Sequence, residues 1–318
     1  MNTAPRVSLL VPCYNAGKHL RGLAEQIAAQ ELPFAEVICY DDNSQDDTLE
    51  VARDLGFSVI AGDTNRGAGF ARNRLWESAA MPWIHFHDAD DTLSPRYLEK
   101  LAVYLGEEPA AVMCAFRKRW SGGEEADLVY RYPDAGTETD WITFFIRHFV
   151  HLNAFIFPTE ALQTTGGFAE DLRIAEDREF LVRAAAKGLR FTYVDELLVD
   201  WVVHKDSTLG RAAEAIRWRY DGIFLRRCYD LLDLPHRKAL GEYALYRGWW
   251  LFWTGVYPGA RENIEVAQLC GVYHADDAKL LEQLLSHTIG TLRCFALKKG
   301  WARLKAWLSA KHRMPGSE

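Results

Sequence analysis

The alternation of strand-like and helix-like segments at the start of the chain constrains its fold more than any other feature. Short apolar runs at residues 7–11, 36–40, 58–61 and 83–86 are separated by segments whose apolar side chains recur at helical spacing. Strands joined by helices form parallel sheets, because the helix returns the chain to the end of the sheet from which it started. The sequence therefore predicts an α/β fold with a Rossmann-like, mostly parallel sheet and flanking helices.

Polar side chains follow three of these strands. Tyr14 comes after the first strand, Asp42 after the second, and Asp88, Asp90 and Asp91 after the fourth. Ligands of parallel α/β sheets bind beyond the carboxyl ends of the strands. We therefore expect these side chains to meet at one edge of the sheet and to form the functional site.

The pattern changes near residue 210. Before this point, further strands are predicted at 111–116, 155–157 and 191–203, with a helix at 176–187. After it, long helical segments rich in arginine and aromatic residues follow at 212–232 and 237–253. We predict an α/β domain over residues 1–210 and a mainly helical domain over residues 211–318.

Composition and charge exclude several classes of protein. The net charge of the 318 residues is −7, which does not favour nucleic acid as a partner because nucleic-acid-binding faces need clustered Lys and Arg. The six cysteines are scattered without metal-binding spacing, which is typical of a reducing compartment. The sequence shows neither a signal peptide nor an apolar run of about 20 residues that would cross a membrane. These features predict a cytoplasmic protein.

The acidic turn after the fourth strand predicts a metal site. Carboxylates two residues apart, such as Asp88 and Asp90, can bind one hard cation and leave positions open for water and phosphate oxygens. Mg²⁺ or Mn²⁺ held in this way stabilises a departing diphosphate. The alternative is a structural turn, in which Asp91 or Thr92 caps a helix that starts near Pro95.

Six short motifs follow one another in a fixed order. They are VPCYNAGKHL from residue 11, CYDDNSQDDTLEVA from 39, NRGAGFARN from 65, HDADD from 87, GGFAEDLRIAEDREFLVRAAAKG from 166 and VHKDSTLG from 203. Together they resemble the family 2 glycosyltransferases, inverting enzymes with the GT-A fold, over residues 5–210. The resemblance implies metal-dependent transfer of a sugar from a nucleoside diphosphate sugar, with UDP as the expected nucleotide. The implied acceptor is a hydroxyl of a saccharide or lipid-linked saccharide, in the synthesis of cell-surface polysaccharide.

The resemblance also implies which residues bind the nucleotide. Pro12 and Tyr14 are expected at the base, with the Tyr14 ring stacked on it. Asp42 is expected to accept a hydrogen bond from the base. Arg66 or Arg72 is expected at the base or the phosphates.

Further residues are implied at the metal and at the reacting sugar. Asp88 is expected near the ribose and the metal, Asp90 on the metal, and His204 on a phosphate or on the metal. Inversion requires a base that deprotonates the acceptor hydroxyl, and the resemblance implies Asp177 for this role, with Glu176 beside it on the acceptor side. The alternative is that Asp177 only belongs to the solvent-facing start of a helix.

The end of the chain is basic. Residues 291–313 contain seven Lys or Arg and no Asp or Glu, and their apolar residues recur at helical spacing. Such a helix either binds anionic lipid, which predicts a peripheral protein at the inner membrane face, or packs its apolar stripe on the C-terminal domain.

Two other functions fit parts of the pattern. A nucleotidyltransferase also uses an acidic metal site, but VPCYNAGKHL does not have the Gly-rich, basic phosphate loop typical of that class. A non-catalytic scaffold with the same fold would bind partners through its helical C-terminal half. The presence of both Asp90 and Asp177 favours an enzyme.

Overall fold

The computed structural model describes residues 5–106, 108–122, 126–136, 140–204 and 214–275, together with residues 291, 295, 298 and 299. The chain divides into two compact units, Met1–Ala212 and Ala213–Glu318.

The first unit contains nine described strands that belong to one sheet. The strands are β1 (Val7–Cys13), β2 (Glu36–Asp41), β3 (Ser58–Ala61), β4 (Trp83–Phe86), β5 (Thr92–Leu93), β6 (Ala110–Trp120), β7 (Leu128–Tyr130), β8 (Phe155–Pro158) and β9 (Arg190–Val203). The helices of this unit are α1 (Gly17–Ala28), α2 (Thr48–Asp54), α3 (Ala68–Ser78), α4 (Tyr97–Ala102), α5 (Trp141–Arg147), α6 (Thr159–Thr165) and α7 (Glu176–Ala186).

The strand order is β3-β2-β1-β4-β8-β6-β9-β5, and β7 pairs with β6. The first four strands are parallel to one another, as are β6 and β9. β8 is antiparallel to both of its neighbours, β4 and β6. The predicted α/β fold with a mostly parallel sheet is confirmed. The antiparallel direction of β8 was not predicted, because a short apolar run carries no information about strand direction.

The parallel half of the sheet is held by a core on which the strand ends depend. Leu9 and Val11 of β1 pack with Leu20 and Leu23 of α1 and with Val51 of α2, and all five are buried. Burial of side chains of this size contributes roughly 1.5–3 kcal/mol each. This packing fixes β1 beneath the loops that follow it.

Two elements differ from the sequence predictions. β6 continues to Trp120, beyond the predicted end at residue 116, because its last residues pair with β7 and β9. The segment between β6 and α5, for which no strand is predicted, contains β7. Its apolar run, Leu128–Tyr130, is only three residues long, too short for a prediction from the sequence.

The second unit is helical, as predicted. Its helices are α8 (Glu214–Leu231), α9 (Leu234–Thr254) and α10 (Tyr257–Leu269). Asp233 caps α9 by accepting a hydrogen bond from the backbone N–H of His236, and α9 ends at Gly255, whose φ is +91°. No helix among these or the other described elements is both long and apolar enough to cross a bilayer.

The start of the basic segment packs on this unit. The ring of Phe295 lies 6.0 Å from that of Phe252, and Lys299 Nζ donates to the Phe252 carbonyl at 3.1 Å, near the end of α9. A cation placed there interacts favourably with the helix dipole. Most of residues 291–313 lie outside the described residues, so membrane binding by this segment stays a prediction.

Candidate active site

The ends of three adjacent strands form the floor of the candidate site. In the register of the sheet, Cys13 of β1 lies beside Asp41 of β2, and Leu10 of β1 beside Phe86 of β4. The strand order reverses between β1 and β4, and ligands of such sheets bind at this point. The loops that carry Tyr14, Asp42 and Asp88 therefore start side by side.

The loops after β1 and β2 are tied to each other. The backbone N–H of Asn15 donates to Ser44 Oγ at 2.9 Å, and Asn15 Oδ1 accepts from the backbone N–H of Gln45 at 2.8 Å. Tyr14 is 49% exposed and Pro12 is half-buried. This arrangement leaves the Tyr14 ring open for stacking on a flat ligand.

Asp42 holds the loop that precedes α3. Its two carboxylate oxygens accept hydrogen bonds from the backbone N–H groups of Arg66 and Gly67, at 2.9 and 2.7 Å. The φ of Gly67 is +91°, which favours glycine, and a Cβ there would meet the Arg173 guanidinium at 2.7 Å. The Arg66 guanidinium stacks 3.6 Å from the centre of the Phe70 ring, and its side chain is half exposed. Asp42 therefore already has a structural role, and only its remaining lone pairs can bind a base.

Arg72 joins the acidic turn to the start of α7. This buried side chain donates to Glu176 Oε1 at 2.6 Å and to Asp88 Oδ1 at 3.0 Å. Burial alone would raise the pKa of Asp88, but the charges of Arg72, His151 and His87, with the hydrogen bond from Arg72, together outweigh burial and lower the pKa. Burial and the neighbouring Asp177 raise the pKa of Glu176 to about 7. Two carboxyl groups thus share one guanidinium, and Glu176 keeps its proton more readily than Asp88 because its pKa is raised.

Asp90 and Asp91 point to different partners. Asp90 Oδ2 lies 2.6 Å from His204 Nε2, and both side chains are partly open to solvent. Asp91 is buried and accepts from the backbone N–H of Val202 at 2.8 Å, from His151 Nε2 at 2.7 Å and from Asn153. The alternative in which Asp91 caps the following helix is wrong, because α4 starts only at Tyr97 and the Asp91 carboxylate is used elsewhere.

The buried side chains of Asp91 and His151 shift each other's pKa. Burial raises the pKa of Asp91 to about 6, although His151 opposes this. Burial would lower the pKa of His151, but the charge and hydrogen bond of Asp91 raise it. The hydrogen bond from the backbone N–H of Val202 to Asp91 ties the acidic turn to the end of β9, two residues before His204.

Two groups of side chains are candidates for a cation. Among the described residues, one atom each of Asp88, Asp91 and His151 lie within 4.8 Å of one another. In this group, however, Asp91 and His151 are buried, and the Asp91 carboxylate already accepts three hydrogen bonds. Asp90 and His204 offer an oxygen and a nitrogen at 2.6 Å and face solvent, so this pair, with Asp88 nearby in the turn, fits a cation shared with a ligand better.

Asp177 lies in the first turn of α7, beside Glu176. The residue before the helix, Ala175, has φ +69°, and Arg178 anchors the turn by donating to the carbonyls of Phe145, at 3.2 Å, and Ile146. The side chain of Asp177 is half-buried. Through Glu176 and Arg72, this turn is connected to Asp88.

Several residues of the site were missed in the sequence. His151 and Asn153 belong to a short stretch, HLN, without periodicity or a recognisable motif. His19 in α1 has a ring centre 5.5 Å from that of His204, but it appeared only as a polar residue in an amphipathic helix. The one available signal was the presence of polar residues next to the apolar run of β8.

The sequence profile described as "Glycosyl transferase family 2" matches residues 8–165, about half of the chain. The Bacillus subtilis (strain 168) protein EpsH, named as a glycosyltransferase, is 26% identical over an alignment of 228 residues that covers 65% of this chain and 63% of EpsH. The Staphylococcus aureus (strain MW2) poly(ribitol-phosphate) beta-N-acetylglucosaminyltransferase TarS is 26% identical over an alignment of 204 residues that covers 60% of this chain and 34% of TarS. The matches thus span less than two thirds of the length of these relatives.

Solved structures show the same fold. The S. aureus TarS 1-349 complex with UDP-GlcNAc has a TM-score of 0.69 at 20% identity and covers 94% of this chain and 92% of that one. The Pyrobaculum calidifontis mannosyltransferase PcManGT, in complex with GDP-Man and Mn²⁺, has a TM-score of 0.60 at 19% identity and covers 97% and 86%. The likeness confirms the predicted GT-A fold. From the profile, the named relatives and this fold, we conclude that the chain belongs to glycosyl transferase family 2.

Proposed function

We propose that this protein transfers a sugar, with inversion, from a UDP-sugar to a hydroxyl of a saccharide or lipid-linked saccharide in polysaccharide synthesis. The observation that carries the proposal is the Arg72 bridge. It connects the acidic turn through Asp88 with the helix start that bears Asp177. A donor group and a base on opposite sides of one sugar are what direct displacement requires.

The donor side uses the loops at the strand ends. Tyr14 stacks on the base, Pro12 and Asp42 line the base pocket, and Asp88 faces the ribose. Arg66 reaches a phosphate. Arg72 acts on the nucleotide through Asp88, because its guanidinium is buried and bonded to carboxylates. The name of TarS and its complex with UDP-GlcNAc support a UDP-sugar donor and a polymeric acceptor.

Asp88, Asp90 and His204 would hold Mn²⁺ or Mg²⁺. The ligand atoms suit such a cation, because they are carboxylate oxygens and an imidazole nitrogen. The nitrogen, His204 Nε2, is hydrogen-bonded to the Asp90 carboxylate at the open end of the turn. When bound, the cation neutralises charge on the diphosphate. The complex of PcManGT with GDP-Man and Mn²⁺ supports this assignment.

Asp177 takes the proton of the acceptor hydroxyl as that oxygen attacks the anomeric carbon. The new carbon–oxygen bond forms on the face opposite the diphosphate, whose bond to the same carbon breaks and whose oxygen keeps the electron pair. Arg72 and Glu176 hold the first turn of α7 in place during this step. Glu176 faces the acceptor side, with Arg72 bonded to its carboxylate.

The test is an assay of UDP- and GDP-sugars with Mn²⁺, in which release of the nucleoside diphosphate is measured with and without saccharide acceptors. For Asp177→Asn we expect transfer to fall by about 10³-fold, because general-base catalysis is lost, with UDP binding unchanged. Asp54→Asn, at an exposed carboxylate in α2, is the matched control. Normal turnover by Asp177→Asn would remove the proposed base, and binding without turnover of any donor would favour the scaffold function.

A further inference from the structure

A group of aromatic side chains lies on one face of the sheet beside the acidic turn. We define the aromatic surface as Lys118, Trp120, Tyr130, Phe149 and Trp201. Lys118 and Trp120 are two residues apart on β6 and therefore share a face, and Lys118 is the register partner of Trp201 on β9. These residues belong to the first unit, and none of them has a role in the donor site.

The rings of this surface are within contact distance of one another. The Trp201 ring centre lies 5.2 Å from that of Phe149, and the Phe149 ring centre 5.6 Å from that of Tyr130. Lys118 Nζ lies 4.2 Å from the centre of the Trp120 ring and 5.2 Å from that of Trp201. Phe149 is 46% exposed and the other four are half-buried. The surface is therefore a continuous strip of ring edges and faces that solvent reaches.

This strip begins next to the catalytic centre. The Trp201 ring is stacked 5.4 Å from His151, which is bonded to Asp91 of the acidic turn. The backbone N–H of Val202, the next residue after Trp201, donates to the same carboxylate. A molecule lying on Trp201 would thus lie next to residues that contact the acidic turn.

The strip carries one positive charge, on Lys118, that no carboxylate of the described part of the chain neutralises. Arg117 and Arg119 lie on the other face of β6 and pair with Asp200, at 2.7 and 3.3 Å. Lys118 has no ion pair with a carboxylate among the described residues, and its ammonium is bounded by two indole rings. A cation held in this way can bind an anion of the ligand and interact with the rings.

We propose that the aromatic surface binds the acceptor and that the acceptor is an anionic saccharide. The apolar C–H face of a sugar ring stacks on Trp201 and Phe149, because aromatic faces bury such surfaces while the hydroxyl groups stay hydrated. A carboxylate or phosphodiester of the same chain pairs with Lys118. The inference rests on the proposed function, since it assigns the acceptor of that reaction.

The experiment measures oligosaccharide binding by calorimetry on the full chain, saturated with UDP and Mn²⁺. Three probes distinguish a carboxylate from a phosphodiester as the anionic group of the acceptor. They are a tetrasaccharide of alternating glucuronic acid and N-acetylglucosamine, its carboxyl-reduced neutral counterpart, and an oligosaccharide joined by phosphodiesters. The variants are Trp201→Ala, the milder Trp201→Phe and Lys118→Gln. Tyr104→Ala removes a comparably exposed aromatic ring outside the surface and serves as the control.

We expect at least one anionic probe to bind about tenfold more tightly than the neutral one. Lys118→Gln should abolish this preference. Trp201→Ala should weaken all probes about tenfold, because the stacking face is lost, and Trp201→Phe should weaken them less. The control and every variant should bind UDP as the wild type does.

Either of two results would overturn the inference while leaving the proposed function intact. One is a wild type that binds UDP with Mn²⁺ but prefers neither anionic probe. The other is an anionic preference that persists in Lys118→Gln. A wild type that does not bind UDP with Mn²⁺ would instead contradict the proposed function itself.

Discussion

Arg72 is the residue that links the acidic turn to the start of α7, through its guanidinium group. It is buried against Asp88 and Glu176, with Asp177 close enough to raise its pKa further. Removing one partner from such a buried network leaves an uncompensated charge, which costs about 3–5 kcal/mol. The sequence predicted Arg72 as a nucleotide ligand from its motif. It did not show that the guanidinium would be used inside the protein, because both partners are distant in sequence.

Glu176 makes the stability of the protein depend on pH. Its pKa is raised by burial to about 7 from an ordinary value of 4.5, so the folded state binds more protons than the unfolded state between these values. The stabilisation is complete below about pH 4.5 and is lost as the pH rises toward 7. We expect the free energy of unfolding to fall by roughly 2 kcal/mol from pH 5 to pH 7, relative to Glu176→Gln.

Urea unfolding of both proteins at a series of pH values measures this difference. Equal pH dependence of the wild type and the Gln variant would show that Glu176 is ionised in the folded protein across this range.

At the scale of elements, α7 is placed by the turn before it. The φ of Gly167 is +71°, and a Cβ there would meet Asn73 Oδ1 at 2.4 Å. The same oxygen accepts from the backbone N–H of Phe168 at 2.8 Å, which ties the turn to α3. Gly167→Ala should therefore destabilise the protein by about 2–4 kcal/mol, through backbone strain and displacement of Asn73.

Gly22 is the matched control. It lies inside α1, and a Cβ there meets nothing within 4 Å. Gly22→Ala should stabilise the protein by about 0.5–1 kcal/mol, because alanine is the better helix former. Thermal or urea unfolding of both variants is the measurement. A Gly167→Ala protein as stable as Gly22→Ala would contradict the proposed anchoring of α7.

The parts of the site that were predictable are those encoded locally. The strands before Tyr14, Asp42 and Asp88 were predicted because apolar runs end in polar clusters, and the structure places those clusters together. The contacts of Asp91 with His151 and Val202 were not predictable, since they join residues 60 and 111 positions apart. Only the fold determines such contacts.

At the scale of the whole molecule, the residues proposed for the donor site all belong to the first unit. That unit has its own buried core, and the last proposed ligand, His204, precedes its end at Ala212. We propose that it is an independent domain. Expressed alone, residues 1–212 should bind UDP with Mn²⁺ within about threefold of the full chain, a difference under about 1 kcal/mol. An insoluble fragment, or one that does not bind UDP, would contradict this.

Manganese binding in the presence of UDP, monitored by electron paramagnetic resonance of the free ion, is the direct test of a metal site at the acidic turn. We expect Asp90→Ala to weaken Mn²⁺–UDP binding by about 100-fold, because a charged oxygen ligand is removed, while the unfolding temperature of the variant stays near that of the wild type. Asp54→Asn should bind as the wild type does. Wild-type affinity in the Asp90→Ala protein would contradict a metal site at the acidic turn.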